Sequence, residues 1–527
     1  MFLNLKWLPQ FKYFVYFAIF WHFKKIIMRK IPKSIKDLLI SIPYFKNKIR
    51  HKLLQNSTVL HKSMSHSQYE HLITLPEDQL TLGDVEMKIN EMQINEINGE
   101  RGNKVLKSGM PDKVSGVIYL GDKFHNANMI KIFQKFSFSN PLHPNLFPEI
   151  RNMEIDIINM AKSLYKGTQE CCGNMTYGGT ESLLLACFTY RDYYRHHKNI
   201  YSPNIVCFKS VHPAFDKAAH YFGIQLKKIE GGNVDLIQHA ITENTILLVG
   251  SCPEYAYGTV DPLRKMSELA LKYDIGFHVD SCLGGFLVPF LKEYQYVNFK
   301  DLRGMTSISM DTHKYGYTLK GSSILLFRNM AFKKFQHFIQ KDWIGGIYAT
   351  PTLMGSKSGS LIAATWAGLL MIGQSNYRQY AIEIQDNLKF IKMETQKIKG
   401  IKIIGDPTIN VIAYKSNSKH INIYQIIDEM KTRQWELTIM QNPPAFHFCL
   451  TKLHSRAICT KFCHDLSEIV DYVLKNPIAS QELGGTLALY GSSEKIENSL
   501  FIDEIVHDFI FLLSNKSSLE RYQEKKF

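Results

Sequence analysis

Ser309-Met-Asp-Thr-His-Lys-Tyr-Gly316 ends an apolar run in a histidine-lysine pair, His313 and Lys314. Upstream, Phe277-His-Val-Asp280 closes a second apolar run with a carboxylate, and Cys282 and Gly284-Gly285 follow it. Further out, Gly178-Gly-Thr-Glu-Ser182 opens a long helical pattern. An amine to hold an aldehyde, a carboxylate for a ring nitrogen and a glycine turn for a phosphate are what a pyridoxal phosphate site needs.

Each part is weak alone. Lys314 by itself reads as a solvated turn lysine, but lowered in pKa by its neighbours it could form a Schiff base. Asp280 could cap a following helix, although the glycines after it weaken that option. At a buried strand end its charge calls for a cationic partner. Thr180 with Glu181 near it also reads as a plain helix cap. The three occur together, and that gives the reading its weight.

From about Gly121 to Gly373 short runs rich in β-branched residues alternate with helical patterns. The runs are Ile205–Phe208, Thr245–Val249, Ile275–Val279, Thr306–Ser309 and Ser322–Phe327; the helices include Thr180–Arg195 and Pro262–Tyr273. Such alternation predicts an α/β fold with a mostly parallel sheet, whose ligands sit at the carboxyl ends of the strands. His212, Asp280 and Lys314 all fall at such ends. A Gly/Ser/Pro-rich bridge, Gly345 to Ser360, then leads to a smaller α/β unit. The expected division is 1–34 as an N-terminal membrane-associated segment, 35–120 as linker and arm, 121–375 as the large domain, 376–495 as the small domain, and 496–527 as a C-terminal helix and tail.

The chain has 527 residues, 45% hydrophobic and 21% charged, as expected for globular domains rather than extended disorder. Its formal charge of +15 suits an anionic surface or substrate. No nucleic-acid motif accompanies it, so nucleic acid is not the expected partner. The nine cysteines form no framework, and Cys459, Cys463 and His464 lack a second ligand pair at zinc-like spacing. Free thiols and no metal are expected. Near the N-terminus, the aromatic run Tyr13–Phe23 precedes Lys24, Lys25, Arg29, Lys30 and Lys33. It is shorter than the roughly 20 residues of a spanning helix, so a short span, an interfacial helix and an amphipathic helix packed on the protein's own surface all remain open. If it spans, the basic flank keeps the bulk of the chain cytoplasmic.

Five strings, in this order, resemble the sphingosine-1-phosphate lyases, a family of fold-type-I pyridoxal-phosphate enzymes related to the group II amino-acid decarboxylases. They are Ser139-Asn-Pro-Leu-His-Pro-Asn-Leu-Phe-Pro148, Gly178-Gly-Thr-Glu-Ser182, His278-Val-Asp280 with Cys282-Leu-Gly-Gly-Phe286, Asp311-Thr-His-Lys-Tyr-Gly-Tyr317 with Lys320-Gly-Ser-Ser323, and Asp342-Trp343 with Gly345-Gly-Ile-Tyr-Ala349. The resemblance runs from about Gly121 to Gly491. It implies that Lys314 binds the cofactor aldehyde, Asp280 holds the ring nitrogen and His212 stacks on the ring. Gly179, Thr180 and His313 would hold the phosphate, with Gly178 and Thr312 in the same cofactor-binding set. Asn140, His143, Lys320, Tyr348 and Lys357 would bind substrate. The loop with Gly346 and Tyr348 would complete the site of a second subunit in a homodimer. The implied reaction is retro-aldol cleavage of a phosphorylated sphingoid base to a long-chain aldehyde and phosphoethanolamine, at the endoplasmic reticulum membrane with the catalytic part facing the cytosol. Tyr348, Lys314, His313 and a phosphate oxygen are all candidates for the general base.

The sequence departs from that family at several places. Tyr177 stands where serine is usual, Ser281 where alanine is, Thr318-Leu319 where alanine-proline is, and Lys357-Ser358 where arginine-proline is. Two other readings compete: an amino-acid decarboxylase of the same fold, which would gain nothing from a membrane segment, and a membrane-attached pseudoenzyme. Retention of Lys314, Asp280 and the glycine turn speaks against the second.

Overall fold

The computed structural model describes residues 76, 79–98, 111–418 and 420–477. The aromatic run Tyr13–Phe23, its basic flank and the tail 496–527 lie outside the described residues, as does the end of the expected small domain. The chain divides into two units, 1–103 with 481–527, and 104–480. In the first, helix α1 (Leu82–Asn98) is described; it falls inside the segment read as linker and arm. A reciprocal cap starts it: Asp84 accepts from the Thr81 N–H at 2.9 Å, and the Thr81 hydroxyl accepts from the Asp84 N–H at 3.2 Å.

The second unit is built on a seven-stranded sheet. Its strands are β1 (Cys172–Thr176), β2 (Asn204–Phe208), β3 (Gln225–Ile229), β4 (Thr245–Ser251), β5 (Gly276–Asp280), β6 (Ser307–Met310) and β7 (Ser323–Phe327), in the order β1-β7-β6-β5-β4-β2-β3. All run parallel except β7, which is antiparallel to both β1 and β6. Strands β2, β4, β5, β6 and β7 are buried along their whole length, and β2, β4 and β7 accordingly carry near-continuous apolar runs. The edge strand β3, Gln-Leu-Lys-Lys-Ile, is half exposed and carries the charges that guard an edge. Strand β1 has little intrinsic strand character; a side chain at Gly173 would meet the Leu325 carbonyl at 2.4 Å, so only glycine fits there.

Helices α2 (Lys123–Lys135) and α3 (Pro148–Leu164) precede β1, and α4 (Gly179–Lys198), α5 (Ala214–Phe222), α6 (Val234–Ala240) and α7 (Leu263–Tyr273) alternate with β1 to β5. Proline at the first position of α3 costs nothing, since that N–H has no helical partner. Helix α4 buries Leu183, Leu184, Leu185, Cys187 and Tyr190 against Ile205, Leu247, Val249, Leu325 and Phe327 of the sheet. The apolar burial that holds the layers together is concentrated here.

Within the Gly/Ser/Pro-rich bridge the structure has a strand: β8 (Phe338–Gln340) and β9 (Tyr348–Thr350) pair as an antiparallel hairpin. Helix α8 (Gly359–Thr395) follows, broken at Gly373, whose φ of +67° is outside helical space. Strands β10 (Ile401–Ile403), β11 (Val411–Ser416), β12 (Thr438–Met440) and β13 (Ala445–Cys449) form an antiparallel sheet in the order β10-β11-β13-β12, with helices α9 (Ile423–Thr432) and α10 (Arg456–Lys475). The last residues of the segment read as linker join it: the Ser115 N–H donates to the Glu436 carbonyl and the Gly116 N–H to that of Cys449. All nine cysteines are free.

Candidate active site

Strand register fixes the floor of the site. Ser251, Asp280 and Ser309 lie side by side at the carboxyl edge of β4, β5 and β6. Asp280 is the last residue of β5, 7% exposed, and accepts from the Cys282 N–H at 3.0 Å. No salt bridge reaches it among the described residues. Below it on the strand, His278 is fully buried with its Nδ1 2.8 Å from the Ser307 hydroxyl and its Nε2 3.1 Å from that of Ser309. Burial pushes this imidazole down to about 4, with Asp280 opposing, so it is neutral at pH 7. The Cys282 thiol donates to the same Ser309 oxygen at 3.3 Å.

The loop from β6 to β7 carries the lysine. Lys314 Nζ lies 2.9 Å from Asp311 Oδ2, and His313 Nε2 is 3.6 Å from the same oxygen. Burial works against the Lys314 charge, but Asp311, Cys282 and Tyr119 outweigh it and hold the amine above the usual lysine range. His313 is lowered by burial, with Asp311 opposing; its Nδ1 accepts from the Ser322 N–H at 3.2 Å. Thr312, fully buried, donates to the Ser322 hydroxyl at 2.6 Å and so closes the loop on itself. Two contacts from outside the loop pin the residues after the lysine: His125 Nε2 donates to the Tyr317 carbonyl at 2.9 Å, and the Tyr377 hydroxyl to that of Gly316 at 2.7 Å.

The glycine turn lies against this loop. Gly178, at φ +85°, precedes the first residue of α4, and a Cβ there would come 3.6 Å from the His313 ring. At Gly179 a Cβ would stand 2.8 Å from both Asp311 oxygens and 3.0 Å from Cys282 Sγ, so the turn, the carboxylate beside the lysine and the thiol form one cluster. Glu181 is part of the scaffold: its carboxylate accepts from the Tyr177 N–H at 2.5 Å and from the Leu353 N–H at 3.2 Å. Ser182 bridges the Thr176 and Ser323 hydroxyls at 2.6 and 3.0 Å. Thr180 is exposed.

The other expected residues divide. His212 follows β2, half-buried, and its Nδ1 accepts from the Ala214 N–H at 3.1 Å, which fixes the ring at the start of α5. Lys320 Nζ stands 4.6 Å above the Tyr119 ring and donates to the Val117 carbonyl at 3.2 Å; partial burial and the Lys314 charge lower it. Asn140 ties its own turn to the segment before α8: Oδ1 accepts from the Leu142 and Lys357 N–H groups, and Nδ2 donates to the Ser356 hydroxyl at 3.1 Å. His143, in the same turn, is exposed. Lys357 is 8% exposed and donates to Glu154 at 3.3 Å, so its charge is matched inside the chain. Tyr348 lies in the hairpin with its ring edge-on to Trp343 and its hydroxyl toward Gly355. Gly346, at φ +102°, is exposed at the hairpin tip.

Two of the departures meet. The Ser358 N–H donates to the Tyr177 phenol, a bond a proline at 358 could not make. Ser281 donates to the Cys252 carbonyl at 2.9 Å, beneath the site. Sequence reasoning did not single out Asp311, Tyr119 or Ser309. Asp311 sat in the quoted string, three residues before Lys314, and that spacing was the available signal. Tyr119 packs edge-on against Tyr315 and comes from a segment read as arm.

The family model for the pyridoxal-dependent decarboxylase conserved domain matches residues 139–417. Sphingosine-1-phosphate lyase 1 of Rattus norvegicus is 37% identical over 90% of this chain and 83% of its own length. The sphingosine-1-phosphate lyase of Saccharomyces cerevisiae is 35% identical over 85% of this chain and 76% of its own. Among solved structures, a sphingosine-1-phosphate lyase from Burkholderia pseudomallei aligns with a TM-score of 0.72 at 33% identity, covering 77% of this chain and 94% of that one. A glutamate decarboxylase from Lactobacillus brevis aligns with a TM-score of 0.66 at 18% identity, a likeness of fold.

Proposed function

The chain belongs to the sphingosine-1-phosphate lyase family, and from that premise we propose how its residues divide the work. It is a pyridoxal-phosphate-dependent lyase that cleaves phosphorylated sphingoid bases between Cα and Cβ to a long-chain aldehyde and phosphoethanolamine. The cofactor, when bound, supplies an electron sink for the pair released from the broken bond.

The residues fit that cofactor. Asp280 is a buried carboxylate without a salt bridge among the described residues, which a ring nitrogen's charge would satisfy. Gly178 and Gly179 leave the start of α4 open where a side chain would fill it, and backbone N–H groups there suit a phosphate, with Thr180 and His313 beside them. Lys314 is the amine that would hold the cofactor aldehyde, and His212 the ring that would lie against it. The observation that carries this reading is the single cluster of Gly179, Asp311 and Lys314 at the carboxyl edge of β5 and β6. Lys320 and His143 are assigned to the substrate phosphate, and Asn140 to holding the turn that carries His143. Lys357 contributes through Glu154 instead of facing an anion directly. Lys314, when its amine is free and protonated, would be an acid positioned to return a proton, with His313 beside it and Tyr348 as the further proton-transfer candidate.

The finer proposals are a homodimer and a membrane site. Support for the dimer comes from the hairpin: Phe338, Ile339, Trp343, Ile344 and Ile347 are all more than half exposed on a lone chain, an apolar patch that a second subunit would cover. Support for membrane attachment, at the endoplasmic reticulum with the catalytic part in the cytosol, is the aromatic-basic N-terminal sequence. Among the described residues no helix is long and apolar enough to cross a membrane.

The test is direct. Purified protein given a phosphorylated sphingoid base should yield aldehyde and phosphoethanolamine, and aromatic or acidic amino acids should yield no amine product. Borohydride reduction and peptide mapping should find the cofactor on Lys314; any other lysine refutes the assignment.

A further inference from the structure

Asp311 is 2% exposed, an expensive place for a carboxylate. Its Oδ2 faces the Lys314 amine at 2.9 Å and the His313 ring, Nε2 at 3.6 Å. Its Oδ1 is buried and takes no donor. Both carboxylate oxygens lie 2.8 Å from where a Cβ at Gly179 would stand, so no side chain fits there. A helix cap or turn brace would accept backbone N–H bonds; the partners of this carboxylate are the lysine side chain, three residues on, and the histidine between them.

We propose that Asp311 is the positioning residue of Lys314, holding the free amine against the glycine turn whenever that amine is not bonded to the cofactor and facing the His313 ring when it is. The proposal rests on Lys314 being the cofactor lysine and adds a role for its neighbour. Without such a tether a lysine released at each turnover would sample its full set of rotamers before returning, and losing that freedom opposes each return. With the His313 ring 3.6 Å from the same oxygen, the carboxylate keeps a polar neighbour when the amine departs. The groups that act on the pair are Cys282 after β5, Tyr119 ahead of α2, Lys320 within the loop and Cys449 on β13; Asp280 acts on it through Cys282. Only Lys320 among them adds positive charge, so the amine's state follows Asp311.

Asp311→Asn keeps the shape and removes the charge. In cofactor-free enzyme, the pH dependence of reductive methylation of Lys314 by formaldehyde and cyanoborohydride, followed by peptide mass mapping, reads the amine itself. The wild-type midpoint is expected above that of an ordinary lysine, about 10.4. Asp311→Asn should lower it by at least about one unit, the shift expected of an opposite charge at this range. Asp311→Glu should bring it most of the way back. The pH profile of pyridoxal phosphate capture, followed by its absorbance, should move in parallel. A midpoint shared by wild type and Asp311→Asn, or a shift that Glu does not reverse, overturns the proposal. Should the Asn variant not fold, a wild-type midpoint at or below that of an ordinary lysine overturns it alone. The methylation midpoint is read without cofactor, so its outcome is independent of where borohydride mapping finds the cofactor.

Discussion

Gly179→Ala is the sharpest perturbation of the site. The added methyl would stand 2.8 Å from both Asp311 oxygens and 3.0 Å from Cys282 Sγ, where ordinary contact begins near 3.4 Å. Neither neighbour yields easily. The Asp311 carboxylate is buried and held by Lys314 at 2.9 Å, and Cys282 is held by its thiol bond to Ser309. The chain must therefore rotate Asp311 off the lysine or push the first turn of α4 away. Overpacking of this kind costs about 1–3 kcal/mol. At 1.36 kcal/mol for each tenfold change, a strain borne wholly by the cofactor-bound state would weaken cofactor affinity by about 5- to 150-fold. The assay is titration of apoenzyme with pyridoxal phosphate, read by absorbance, alongside the thermal midpoint of the apoprotein. Gly232→Ala, with nothing within 4 Å of the new methyl, is the control and should change neither. If Gly179→Ala binds cofactor within about twofold of wild type and melts at the same temperature, the cluster of turn, carboxylate and lysine is wrongly drawn.

Three further outcomes are expected. Acid stability should decline as pH falls from about 6.5 toward 4: burial pushes His278, His447 and His454 to about 4, so the unfolded chain binds protons that the folded one refuses. Asp261, pushed up to about 7 by burial, acts in the opposite sense over that window, so His454→Asn should flatten the decline; an unchanged slope of thermal midpoint against pH refutes this. Mixing a Lys314→Ala chain with a Tyr348→Phe chain should restore activity through hybrid dimers, whereas a fully active monomer in sedimentation would end the dimer proposal. Deleting residues 1–34 should leave a protein that still binds cofactor without membranes, while the full chain partitions with them. High salt should release an interfacial helix, whose basic flank contributes about 1 kcal/mol per residue near an anionic surface; a spanning one should need detergent, and full-length protein found wholly soluble refutes attachment.

The parts of the fold that were legible are those buried on both faces. Strands β2, β4 and β7 leave near-continuous apolar runs because both their faces are buried, while β5 and β6 mix apolar residues with His278, Ser307 and Ser309, which bond one another in the interior. Strand β1 is held by its pairing with β7 and β3 is a charged edge, so neither leaves that signature. The hairpin β8–β9 is hidden in a glycine-rich stretch whose apolar residues point away from the chain's own core. In the site, residue types that announce chemistry were readable: a lysine, an aspartate and a glycine turn at strand ends. Residues that act through position were not. Tyr119 reaches Lys320 from the far side of α2, and the burial of Lys357 depends on Glu154 of α3, contacts no local pattern encodes. The bond between Tyr177 and Ser358 joins two departures that had looked independent.

Strand order also bears on how the chain comes off the ribosome. Strand β1, the first of the large sheet to be made, hydrogen-bonds only to β7, the last. Every other strand of that sheet has a neighbour that is already made or is the next to emerge, whereas β1 waits until residue 327 has emerged. Through that interval Met175 and the turn after β1 lack their native cover, and long-range closure of this kind is slow and open to mispairing. The glycine turn assigned to the phosphate thus follows the first strand of the large sheet to be made and is among the last parts of that unit to be completed. A chain halted before β7 would display most of a sheet and no site, so cofactor added during synthesis should be captured only by chains extended past that strand.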